Sequence, residues 1–125
     1  MDFKMWELIK RLLGSASNRQ SFIPEIVVTE YYRENKAAGL VVGPPWKEAA
    51  EFANSISIEL EDIGLIENAA KTEPSRAMVN CKQRTDFGEE VYQALQGQGV
   101  VDLFEGMRCE IDAGEIRRML HQLSS

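Results

Sequence analysis

The sequence predicts an α+β fold, mostly helical, with one β-hairpin and additional helices toward its N- and C-termini. Three observations carry that expectation. Lys47–Ile63 sets Ala49, Phe52, Ala53, Ile56, Leu60 and Ile63 at the i, i+3, i+4, i+7 spacing of a helix, and Gly64 follows as its stop. Arg76–Arg84 alternates instead, with Ala77, Val79 and Cys81 on one face and Met78, Asn80 and Lys82 on the other. Upstream of it lie an extended start at Leu65-Ile66 and a polar loop over Asn68–Ser75, the order of an antiparallel hairpin. Near both ends of the chain, apolar residues again recur at helical intervals.

The N-terminal segment, residues 1–20, carries Phe3, Trp6, Ile9 and Leu13 at helical spacing, widened by Met5, Leu8 and Leu12. Such an amphipathic helix must cover its apolar side, with this core or with a second subunit. Pro24–Ala38 is assigned as a helix because Pro24 suits a first turn, Glu25 complements the dipole and Gly39 is a stop. Ile26-Val27-Val28-Thr29 and Tyr31-Tyr32 are β-formers and pull the other way. Leu40-Val41-Val42 allows at most a small strand before Gly43-Pro44-Pro45 breaks the chain. Thr85 is placed as the N-cap of a helix running through Phe87, Val91, Tyr92 and Leu95 to Gly97 and Gly99. In residues 100–125 an apolar cluster of Val100, Val101, Leu103 and Phe104 precedes a last helix. Asp112 and Glu115 have the spacing of a capping box for it, and Ile116, Met119, Leu120 and Leu123 form its buried stripe.

Composition narrows the functional classes. A chain of 125 residues, 44% hydrophobic and 27% charged, fits one globular domain. No apolar run reaches the roughly 20 residues that cross a bilayer, and Lys10 and Arg11 interrupt any leader-like stretch, so a cytoplasmic location is expected. The first helix is short and has few cations, which disfavours a membrane surface. Cys81 and Cys109 are expected as reduced thiols, with a disulfide as the alternative. His121 is the one histidine, so no metal site is expected and most Ser-His-Asp or Cys-His combinations are removed. Gly97-Gln98-Gly99 lacks the third glycine of a dinucleotide loop. No catalytic residue and no cofactor is therefore assigned.

Leu60-Glu61-Asp62-Ile63-Gly64-Leu65-Ile66-Glu67 resembles the end of the recognition helix passing into the first wing strand of winged-helix (winged helix-turn-helix) domains. Thr85-Asp86-Phe87-Gly88, followed by Val91 and Leu95, resembles the Thr-x-x-Gly start of the helix after the wing. The resemblance spans residues 46–96, the second half of the motif, and leaves Pro24–Ala38 as the partner of the recognition helix. It implies a winged helix with a β-hairpin wing and further helices at both ends. The function implied is regulatory, non-enzymatic and transcription-regulator-like, with duplex DNA as the partner.

Charge divides this expectation. The net charge of −6 disfavours non-specific coating of nucleic acid. Between Trp46 and Ile63, Lys47 stands against Glu48, Glu51, Glu59, Glu61 and Asp62, so the recognition helix would repel phosphates. The hairpin is basic, with Lys71, Arg76, Lys82 and Arg84 against Glu73, and these four are the candidate nucleic-acid contacts. Solubilising charge on an exposed hairpin is the plainer explanation of the same four residues. The alternative function is a protein-interaction or dimerisation module that uses the fold without DNA. A homodimer is expected, with Phe3, Trp6, Ile9, Leu13, Ile116 and Leu120 as candidate interface residues, against core packing as the competing role.

Overall fold

The computed structural model describes residues 4–17, 22–39, 45–68 and 81–124. Among them the chain forms α1 (Met5–Ser15), α2 (Pro24–Ala37), α3 (Trp46–Asp62), β1 (Ile66–Asn68), β2 (Lys82–Arg84), α4 (Asp86–Leu95), α5 (Val100–Gly106) and α6 (Ala113–Ser124). The expected α+β, mostly helical class is therefore what the chain adopts.

Helix α1 is the centre of the fold. Trp6, Leu8, Ile9, Leu12 and Leu13 are all fully buried, because α2, α3, α4 and α5 pack around this one helix. Trp6 fixes its start. The indole Nε1 donates to the Cys109 carbonyl at 2.9 Å, the backbone N–H donates to the Glu105 carboxylate, and the ring meets Phe104 edge-on at 4.7 Å. Further along, Arg11 joins α1 to α2: its guanidinium lies 2.6 Å from Glu34 and 3.1 Å from Glu7, over the Tyr31 ring. The bond from Arg11 holds the Glu34 carboxyl below its ordinary range.

This packing corrects the assignment of interface residues. Trp6, Ile9, Leu13 and Ile116 are covered by the chain's own helices and leave nothing for a second subunit to bury. Leu120 is half-buried against the same core. Phe3 lies outside the described residues.

In α2 the capping signals win over the β-formers. Pro24 occupies the first turn, Glu25 and Lys36 sit at the dipole ends that favour them, and Val27, Val28 and Tyr31 are buried. Thr29 is accommodated by donating its hydroxyl to the Glu25 carbonyl at 2.7 Å. The small strand expected at Leu40-Val41-Val42 lies outside the described residues.

Helix α3 buries Ala49, Ala50, Ala53, Ile56, Ser57 and Leu60, and its closest partner is α2. The stripe is rotated toward Ala50 and Ser57, so Phe52, expected within it, falls at the edge and is 39% exposed. Ser57 satisfies its buried hydroxyl on the Ala53 carbonyl at 2.8 Å.

The helix ends as the glycine at 64 requires. Gly64 has φ +84, the left-handed region that an L side chain rarely adopts. Its N–H reaches the Glu61 carbonyl at 3.1 Å and the Leu65 N–H returns to the Leu60 carbonyl at 2.9 Å, the paired bonds of a Schellman stop. The chain then enters β1, which pairs antiparallel with β2 in the register Ile66 with Arg84, Glu67 with Gln83 and Asn68 with Lys82. Ser17, just past α1, adds an antiparallel bridge to Gln83. Of the expected Arg76–Arg84 strand, Cys81 is described but precedes β2, and residues 76–80 lie outside the described residues.

Thr85 closes the ribbon and starts α4. Its hydroxyl accepts from the Gly88 N–H at 2.9 Å and donates to the Gly64 carbonyl, while its own N–H reaches the Leu65 carbonyl at 3.1 Å. Thr85→Ala removes both hydroxyl bonds, and a loss of about 1–2 kcal/mol is expected in urea unfolding. Thr85→Ser should recover most of it, and an unchanged alanine variant would show that the cap contributes nothing.

The apolar cluster after Gly99 is the short helix α5, which buries Phe104. Helix α6 is capped as its spacing predicts on one side: the Glu115 N–H donates to the Asp112 carboxylate at 3.0 Å. The Glu115 carboxylate accepts from the Glu110 N–H at 2.9 Å, two residues before the position a closed capping box would use. Ile116 and Met119 are buried, whereas Leu123 is 38% exposed at the helix end.

Cys81 and Cys109 are free thiols, and both are buried. Burial, reinforced by the Glu115 carboxylate, pushes the Cys109 thiol up to about 11 from an ordinary 9.0. The stability gained by keeping it protonated is whole below about pH 9 and is lost as pH rises through about 11. At pH 8 iodoacetamide should alkylate folded Cys109 at least ~10-fold more slowly than the urea-unfolded chain. Peptide mapping separates it from Cys81, and equal rates would contradict the burial. No helix of the described residues is long and apolar enough to cross a membrane.

Candidate functional site

Two surfaces were singled out by charge, the basic ribbon and the acidic helix that feeds it. Strand pairing sets Lys82 opposite Asn68 and Arg84 opposite Ile66, beside the C-terminal end of α3 and the start of α4. Both cations turn back onto the fold.

The Lys82 ammonium lies 3.0 Å from the Glu61 carboxylate and 2.7 Å from the Asn68 side-chain oxygen, with only 15% of its side chain exposed. Arg84 is more heavily committed. Its Nε is 3.1 Å from Glu89, one Nη donates to the Leu13 carbonyl at 2.7 Å, and its guanidinium lies 4.3 Å over the Tyr92 ring. Hydrogen bonds from Gln93 and then Arg84 hold the Glu89 carboxyl below its usual range. A guanidinium already shared between a carboxylate, a backbone carbonyl and an aromatic face has little left to offer a phosphate. Of the four expected nucleic-acid contacts, Lys82 and Arg84 are thus internal braces, and Lys71 and Arg76 lie outside the described residues.

Helix α3 presents the opposite character. With Ala49, Ala53, Ile56 and Leu60 turned inward, the 3.6-residue period leaves Glu48, Glu51, Phe52, Ser55, Ile58, Glu59 and Asp62 exposed on the outward side. Glu48, Glu51, Glu59 and Asp62 make no ion pair among the described residues, while Glu61 is taken by Lys82. Ile58 is 61% exposed among them. At the start of the helix Trp46 is half-exposed and braced on α2 by an indole bond to the Thr29 hydroxyl at 2.8 Å.

Ile58 was missed as a surface residue. The signal was in the spacing: it follows Ile56 by two positions and so leaves the i, i+3, i+4 series that Ile56 and Leu60 obey. An isoleucine off the buried stripe, flanked by carboxylates, marks a face that is both apolar and acidic.

The remaining candidates for chemistry are scattered. His121 is exposed on α6, and the Gly97-Gln98-Gly99 segment only turns α4 into α5. Among the described residues no group of three or more His, Cys, Asp or Glu side chains is placed to hold a metal ion. Comparison of the chain with protein-family models, with curated proteins and with solved structures gives no match.

Proposed function

We propose that this chain is a non-enzymatic regulatory module of the winged-helix type that binds a protein partner through the outward face of α3. The order of α3, Gly64 stop, antiparallel ribbon, Thr85 cap and α4 supports the winged-helix part of this reading. One observation carries the choice of partner. The helix that would meet phosphates exposes Glu48, Glu51, Glu59 and Asp62 around Ile58, while Lys82 and Arg84 are spent inside the fold. Such a face repels a polyanion and offers apolar area to a protein.

The nucleic-acid reading survives only through Lys71 and Arg76, which leave the segment Asn68–Arg84 net positive. Fluorescence anisotropy against random duplex separates the two. At micromolar protein and low salt no binding is expected. Salt-sensitive binding that Lys71→Ala with Arg76→Ala weakens would instead restore contact through the wing. The protein reading is tested by affinity capture with the wild-type chain and with Ile58→Lys, which changes an exposed position and leaves the core intact. Partners retained by the wild type should be lost from the variant, and an identical set would remove α3 from the interaction.

A further inference from the structure

We draw no further inference here: the strongest candidate, the acidic outward face of α3 around Phe52 and Ile58, belongs to the surface already proposed above, and nothing in the structure shows what covers it.

Discussion

Truncating Trp6 to alanine is expected to cost about 3–5 kcal/mol, a large fraction of the roughly 5–15 kcal/mol that holds a domain folded. The side chain is among the largest that are fully buried, and it stands where α1 meets α5 and the turn after it. Its removal leaves a cavity against Phe104 and strips the Cys109 carbonyl of its donor, two separate penalties. Trp6→Phe divides them. It keeps most of the ring packing but not the hydrogen bond, so a smaller loss of about 1–3 kcal/mol is expected. Urea unfolding followed by far-ultraviolet circular dichroism measures both without relying on the indole that is lost. If Trp6→Ala kept the wild-type midpoint, α1 would not occupy the centre of this fold.

Gly88→Ala is the second large effect, and its sign is diagnostic. In the middle of a helix alanine is ordinarily better than glycine by about 1 kcal/mol. Here a Cβ at position 88 would overlap the Leu65 carbonyl oxygen and stand 2.8 Å from its carbon. Both atoms are backbone, so no rotamer change relieves the clash. Helix α4 would have to withdraw from Leu65, breaking the 3.1 Å bond from the Thr85 N–H and disturbing the Thr85 cap. A destabilisation of about 3 kcal/mol, the upper end of overpacking effects, is expected by urea unfolding. Gly106→Ala is the control, because a Cβ there meets nothing within 4 Å, and it should be neutral or slightly stabilising. Equal outcomes for the two substitutions would refute the close approach.

The same pair of residues shows what the sequence made legible. Thr85 and Gly88 were recognisable because a cap and its glycine are local chemistry, three residues apart. Gly64 after a periodic run and Asp112 before Glu115 belong to the same class, and α2 was decided by caps at its ends. Non-local contacts were not legible. Periodicity gave α1 an apolar face, but not the four helices that close over Trp6, Leu8, Ile9 and Leu12 from different sides. Helix α5 was too short to display a period, so Val100, Val101, Leu103 and Phe104 read only as a cluster. At the ribbon, counting charges described Lys82 and Arg84 correctly as cations and misplaced what they face. Their partners Glu61 and Leu13 lie 21 and 71 residues away along the chain. The exposed side of α3 could be read by subtraction, once its buried stripe was known.

The bonds around Leu65 also tie the two ends of the ribbon to each other, independently of what lies between them. The backbone departs at Gly64 and returns at Thr85, and the two points are stitched directly to one another. Whatever connects Asn68 to Lys82 therefore spans a gap that the body of the molecule already holds closed.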